Sequence, residues 1–498
     1  MRQDFYNDEK EILECYLEHD ILHPSWSFTF LNENSGGADF NVVNSGGIEL
    51  IVRPECNQKC EYCYIARHGK DLYPPEERLN KEQILHNIQM ILDYFFDEKK
   101  LYIYHWELFA GDLFYDNIFF DILDIFYEKF TKYRKLYPQA FTNNRGLILT
   151  PCNFSFIDDD EKTQRLKDYI YKFDVNLNVE VGMSISTDGK YGISTRENRN
   201  LPDDHFDKLF KWTLEYPRNG FHPMISASNV DNAIDNYKWW KEMYNKYYGA
   251  DRSKLPDILP YWLEARNDEW TADKIKAFEN LLEYMVKDRL EMCHNNIDEL
   301  AYHLFNGDGA NGTLPGLVNL DLISIAGNLD KDLLQKIGCS LSGLTIINIS
   351  NMTFVPCHRT TYKQFRGAKF QIKDDKIVDI VPENICTYIN IKTHANNVHP
   401  RCNVCIYNAM CHKGCLGAQF EASGEIFLPC RSVCELEKHI IRKLVSLYKD
   451  MGVLESASKQ HLLRKELYVI YDAILKEVED IKDEEERRAN CSTAFECR

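Results

Sequence analysis

From residue 48 to about residue 290 the chain alternates short apolar runs with longer stretches in which apolar residues recur every three or four positions. Short apolar runs bounded by polar loops read as buried strands, and the longer periodic stretches as amphipathic helices. The pattern predicts strands over 48–52, 102–109, 147–150, 179–186, 224–227 and 258–264, and helices such as 81–97, 115–132, 203–215, 232–247 and 272–289. In the last of these Ile275, Phe278, Leu282 and Met285 share one face, and Thr271 stands where it can cap the start. Strand and helix in strict alternation imply parallel strands joined by crossover helices. The rhythm changes after 338: cysteines cluster up to residue 435, and beyond 436 the pattern is helical. There Leu463, Leu467, Ile470, Ile474, Val478 and Ile481 form an apolar stripe that runs into the charged DEEERR. The stripe is expected to pack on the protein's own body, with a partner helix as the alternative.

A chain of 498 residues has room for two or three domains. Its 59 Lys and Arg against 77 Asp and Glu leave a net charge of −18, which disfavours an electrostatic grip on nucleic acid or anionic lipid and suits a neutral or basic peptide better. No apolar run approaches the ~18 residues of a membrane span, and the opening MRQDFYNDEKEILE is too charged for a signal peptide, so a cytoplasmic location is expected. Cytosolic thiols stay reduced, so the 17 cysteines are read first as metal ligands rather than as a disulfide framework.

Cys56, Cys60 and Cys63 lie in one short segment, RPECNQKCEYCYIARHGK, with Cys-x3-Cys-x2-Cys spacing. Three thiolates leave one iron of a cubane cluster open to a small molecule, as open catalytic metal sites differ from closed structural ones. A zinc knuckle short of one ligand, or three buried thiols, are the competing readings; the segment lacks a nearby fourth ligand in paired spacing. The loop resembles the signature of the radical S-adenosylmethionine enzymes, including Tyr62 immediately before the last cysteine and the apolar IELIV leading in. The resemblance implies an α/β fold, a partial (β/α)6 TIM-like barrel with its chemistry at the carboxyl ends of the strands. It also implies S-adenosylmethionine on the open iron. ELFAGDLF stands in the place of that family's Gly-Gly-Glu motif, so Gly111 and Asp112 would meet the methionine ammonium. MSISTDGKY is similar to a Ser-x-Asp-Gly stretch whose hydroxyls reach the ribose, which points to Ser184 or Ser186; Arg196 or Arg199 would meet the methionine carboxylate. Read alone, Asp-Gly is a turn signal and a strand serine is usually just packed.

The second cysteine pattern is Cys402-x2-Cys405-x5-Cys411-x3-Cys415, followed by Cys430 and Cys434. It resembles the SPASM domain, an auxiliary-cluster extension of radical S-adenosylmethionine enzymes that modify peptides and proteins. Cys339 and Cys357 fit the upstream half of that motif, with Met352 where a glycine is expected. Asn351-Met352 is read as a hairpin turn, since Asn tolerates the left-handed conformation. Carried over, the family's pairing puts Cys402, Cys405, Cys411 and Cys434 on one cluster and Cys339, Cys357 and Cys415 on another. Cys386, Cys430 or, more weakly, His358 would supply the missing ligand; failing these, the open iron would take a substrate thiolate. Structural zinc is the rival. Cys15, Cys152, Cys293, Cys491 and Cys497 lie outside every motif and are read mainly as small buried hydrophobes, the last two also as a redox pair or a disordered end.

These readings divide the chain into an amino-terminal segment (1–46), a barrel (47–290), a bridging segment (291–338), a small SPASM domain with β-hairpins (339–435) and a helical carboxyl-terminal extension (436–498). Residues 1–46 are too few for the winged-helix module by which many relatives grip a leader peptide. Recognition would then fall to a separate leader-binding protein, the acidic surface, the bridging segment or the tail. The implied activity is reductive cleavage of S-adenosylmethionine with the aid of three [4Fe–4S] clusters and a flavodoxin or ferredoxin reductant. The resulting 5′-deoxyadenosyl radical would take hydrogen from a ribosomally made peptide, closing a thioether or carbon–carbon crosslink. The alternatives are a sulfatase-maturing, formylglycine-generating enzyme, which STDG also fits, and a non-catalytic iron–sulfur or zinc protein.

Overall fold

The computed structural model describes residues 10, 13, 28–30, 47–61, 63–109, 111–187, 189–191, 203–249, 259–260, 270–305, 345–394, 400–408, 411, 415–462 and 465–496. In chain order the strands are β1 (Phe28–Phe30), β2 (Ile48–Ile51), β3 (Leu101–Ile103), β4 (His105–Phe109), β5 (Gly146–Cys152), β6 (Val179–Thr187), β7 (Gly220–Ile225), β8 (Leu259–Pro260), β9 (Thr345–Asn348), β10 (Thr353–Val355), β11 (Ala368–Lys373) and β12 (Lys376–Pro382). The chain forms two compact units, one from Met1–Thr187, Thr195–His222 and Cys339–Ala395, the other from Asp188–Ser194, Pro223–Gly338 and Asn396–Arg498.

In the first unit β2, β4, β5 and β6 pair in parallel, with helices Ile118–Leu136 and Asp160–Leu177 in the connections after β4 and β5. The fold is mixed α/β around a parallel sheet, as the alternating pattern requires. Ile48, Leu50, Ile51 and Val52 are all buried, which is how a central parallel strand covered on both faces reads. The sheet continues on the other side of β2: β9 joins it in parallel, pairing Ile48 with Thr345, and β10, β11 and β12 follow as antiparallel hairpins. Residues from the cysteine-rich half are thus stitched to the strand that launches the Cys56 loop.

Several elements depart from the sequence expectation. The strand expected over 102–109 divides at Tyr104, because β3 pairs antiparallel with β1 while β4 pairs with β2 and β5. The helix expected over 81–97 ends its α-helical part at Asp93 and widens to a π turn over Tyr94–Glu98. The wider turn lets Tyr94, Phe95 and Phe96 all be buried in succession. β7 spans Gly220–Ile225 rather than 224–227, since a turn begins at once at Ser226, whose O accepts the Asn229 N–H at 3.2 Å and whose N–H donates to Asn229 Oδ1 at 2.7 Å. At the hairpin between β9 and β10 it is Met352, at φ 56°, that takes the left-handed conformation, not Asn351. Asn351 instead donates its side-chain amide to Glu77 Oε2 at 2.7 Å.

The second unit is largely helical. Leu281, Leu282, Met285 and Val286 of helix Ala272–Met292 share a core with Leu436, Ile440, Leu444 and Tyr448 of helix Arg431–Asp450. Thr271 Oγ1 caps the first of these by accepting the Lys274 N–H. Tyr471 and Ile474 of helix Lys465–Glu496 enter the same core, so this part of the tail's apolar stripe packs on its own chain. Among the described residues no helix is long and apolar enough to cross a membrane.

Candidate active site

The loop that leaves β2 is tied to the carboxyl ends of β4, its neighbour, and β5, the next strand over, the place where parallel α/β sheets build their sites. At the β4 end the Asp112 N–H donates to Glu55 O at 2.8 Å. That approach requires glycine next door: Gly111 sits at φ +50°, and a Cβ there would lie 2.0 Å from Glu55 O. Arg53 forks onto both carboxylate oxygens of Asp116 at 2.6 and 2.5 Å. Burial pushes the Asp116 carboxyl up, but the Arg53 pairing outweighs it and holds it below the usual range. Beyond the β5 end Asn57 donates to Ser155 Oγ at 2.8 Å and accepts from Asn153 Nδ2 at 2.7 Å.

This anchored loop carries three thiols. Cys60 is buried, Cys63 half-buried and Cys56 exposed as a residue. The Cys63 N–H closes a turn onto Cys60 O at 3.0 Å, and Cys63 then serves as N-cap of helix Tyr64–Leu72, its side chain taking no capping bond. A sulfur at a helix amino terminus lies at the positive end of the dipole, which favours thiolate. Desolvation of its sulfur pushes the Cys56 thiol up to about 11, with the negative charges of Asp112, Cys60 and Cys63 adding to the shift. The three sulfurs and Asp112 therefore share one electrostatic neighbourhood, in which a bound cationic centre would replace repulsion by attraction.

Asp112 is 2% exposed, and its Oδ1 accepts the Phe114 N–H at 2.8 Å, so part of the carboxylate is spent on backbone. Ser184 and Ser186 are both half-buried on one side of β6, while Met183 and Ile185 are buried on the other. Tyr62, Arg196 and Arg199 lie outside the described residues. In the second unit the turn that follows β6 is clamped by Asn236, which accepts the Tyr191 N–H at 2.7 Å and donates to Tyr191 O at 3.0 Å.

A buried cluster beside the loop escaped the sequence reading. Glu49, in the middle of β2, is 1% exposed and faces His358 Nδ1 at 3.2 Å. The His358 ring stacks on Phe109 at 3.9 Å and on Tyr64 at 5.8 Å, and Tyr73 donates its hydroxyl to His358 O at 3.0 Å. The Arg359 guanidinium lies 5.1 Å from the centre of the Tyr64 ring. Burial drives the Tyr64 phenol well above its usual range, with Tyr73, Cys63, Cys357 and Glu49 contributing. Cys63 and Cys357, 294 positions apart in the sequence, are thus both within electrostatic reach of one phenol. The available signal was a lone glutamate inside an otherwise apolar strand.

Among the second unit's cysteines, Cys402, Cys405, Cys411 and Cys434 line a single cavity of about 40 Å³, together with Tyr407, Val433 and Lys438. Two tight turns, Cys405 N–H to Cys402 O at 3.1 Å and Cys411 N–H to Tyr407 O at 2.9 Å, bring the first three together. Helix Arg431–Asp450 delivers Cys434, whose thiol is pushed up by burial, against the pull of Lys438. Cys430 turns instead towards Ala418 O at 3.7 Å. Cys415 caps helix Leu416–Ser423. Cys386 is exposed on helix Ile385–His394, and Cys357 is buried in the first unit. Cys339 lies outside the described residues. Cys152 is buried, its sulfur accepting the Phe154 N–H at 3.1 Å.

No protein-family profile matches the chain, and no curated protein does. Solved structures similar to it include native anSMEcpe with bound AdoMet and Cp18Cys peptide, at a TM-score of 0.46 and 14% identity over 82% of this chain and 99% of that one. Streptococcus suis SuiB bound to precursor peptide SuiA aligns at a TM-score of 0.45 and 14% identity, over 78% of this chain and 76% of that one. SuiB bound to S-adenosylmethionine aligns at 0.42 and 14%, over 78% and 77%.

Proposed function

We propose that the chain is a radical S-adenosylmethionine enzyme with SPASM-type auxiliary clusters, built on a partial barrel, that crosslinks a ribosomally made peptide through a thioether or carbon–carbon bond. The observation that carries the reading is the Cys56/Cys60/Cys63 loop: three thiols in one electrostatic neighbourhood, pinned at the carboxyl ends of parallel strands. Its donor set fits a [4Fe–4S] cluster, and the four thiols around the second unit's cavity fit another. Held by the first set, a cluster would supply the electron that cleaves S-adenosylmethionine, giving the 5′-deoxyadenosyl radical that takes hydrogen from a substrate carbon.

The chain's own residues position and screen. Gly111 allows the end of β4 to close on the loop, and Asp112 keeps a negative charge beside Cys56 that suits a cationic amino group. Ser184 and Ser186 offer hydroxyls from the adjoining strand side. Arg53, Asn57 and Asp116 hold the loop in one geometry, which is what a site that must aim a reactive species needs. Anaerobic reconstitution with iron and sulfide tests the reading: ~12 irons per chain and release of 5′-deoxyadenosine on reduction support it. Cys60→Ala should lose about four irons and all 5′-deoxyadenosine. Binding of zinc alone, with no 5′-deoxyadenosine, overturns it. Mass spectrometry of a co-expressed small peptide then tests the crosslink, which removes two hydrogens, against conversion of Cys or Ser to formylglycine.

A further inference from the structure

Helix Ala272–Met292 ends at Cys293, whose N–H still bonds to Arg289 O at 3.0 Å. His294 and Asn295 then take φ values of 52° and 58°, and the Asn295 N–H turns back to Leu290 O at 2.9 Å. Two successive left-handed residues reverse the chain tightly, in the manner of a helix carboxyl cap. The next helix, Ile297–Phe305, carries Glu299 and His303 four positions apart, hence on one face. The reversal brings that face to Cys293: one donor atom from each of Cys293, Glu299 and His303 lies within 4.8 Å of the others.

We infer that these three side chains form a metal site, separate from the cysteine clusters, for one divalent cation of the zinc class. The donors are a sulfur, an imidazole nitrogen and a carboxylate oxygen, a mixed set that suits a borderline cation and leaves a fourth position for water. Cys293 is 2% exposed and set among Leu300, Ala301 and Leu304, so it offers its sulfur from a rigid apolar wall. His303 Nδ1 is buried and finds no hydrogen-bond partner among the described residues. Its Nε2 stands 3.9 Å from Glu299 Oε1, too far for a hydrogen bond. An imidazole nitrogen that faces a carboxylate without bonding to it, close to a buried thiol, leaves three donors open to a single cation. The ion would lock the corner between two helices of the second unit's core, next to the hydrogen bond from Gln460 to Asp298 O at 2.9 Å.

The competing account is a charge cluster closed by Arg289 alone, whose guanidinium is within electrostatic reach of Cys293 and Glu299. The two accounts part in metal content. Full-length protein expressed with added zinc and purified anaerobically should hold about one zinc per chain besides its iron. His303→Ala, at a half-exposed side chain, should lower that zinc at least tenfold while leaving iron content and the helical circular-dichroism signal unchanged. X-ray absorption at the zinc edge should show one sulfur at about 2.3 Å with nitrogen and oxygen at about 2.0 Å. Zinc absent from the wild type, zinc retained by His303→Ala, or a shell of three or four sulfurs marking zinc on the cysteine clusters would each overturn the inference.

Discussion

Gly111 is the residue with the least freedom at the site. Alanine there would put a Cβ 2.0 Å from Glu55 O at φ +50°, so the loop or the strand end has to move. Gly111→Ala is expected to cost at least about 2 kcal/mol and to lower iron at the first site, checked by chemical unfolding and iron analysis. Met352 shows the opposite balance. Its left-handed backbone costs about 1 kcal/mol, yet its side chain is 4% exposed. Met352→Gly removes that strain and loses about 2–3 kcal/mol of burial, so a net loss of about 1–2 kcal/mol is expected in urea unfolding. The sequence points to a turn at 351–352, but which residue turns left-handed depends on Asn351 being drawn to Glu77 Oε2, 274 positions away. Glu49 is a similar case. Glu49→Gln should keep a hydrogen bond to His358 and be tolerated, whereas Glu49→Leu strands a half-buried imidazole nitrogen and should cost about 1 kcal/mol by the same measurement.

Elements with strong periodicity follow their local pattern. Helix Asp203–Glu215 matches its expected span, and Ala272–Met292 begins after the expected Thr271 cap. Helix Asp160–Leu177 follows from the alternation more than from its own periodicity, because only Leu166, Phe173 and Leu177 are buried on it, a thin stripe. Helices Ala272–Met292 and Arg431–Asp450 are also tied by charge. Glu283 accepts from Lys287 at 2.6 Å and from Lys443 at 2.5 Å, and these bonds hold its carboxyl down to about 2. A depressed carboxylate stabilises the fold above its ordinary value of 4.5, and that contribution fades as pH falls from about 4.5 towards 2. Glu283→Gln should therefore lower stability at neutral pH by less than about 1 kcal/mol, since solvent screens the pair. The difference from wild type should vanish near pH 2 when melting is followed across that range.

For the whole molecule, the two cysteine sets should be separable. Cys402→Ser alters a thiol lining the second unit's cavity and leaves the Cys56 loop intact. The expected outcome is loss of about four irons with 5′-deoxyadenosine still formed but no crosslinked peptide, read by iron analysis and mass spectrometry. The alternation of strands and helices up to about residue 290, the three-cysteine loop and the second cysteine pattern were determined by the sequence alone. Each is written in spacings of a few residues, and hydrophobic period and tight turns act over that same range. Only the tertiary structure decided that β9 joins β2, that Glu49 meets His358, and that Cys293 faces Glu299 and His303. Those meetings depend on chain reversals and on the packing of whole elements, and no short spacing in a chain specifies where a distant segment will come to rest.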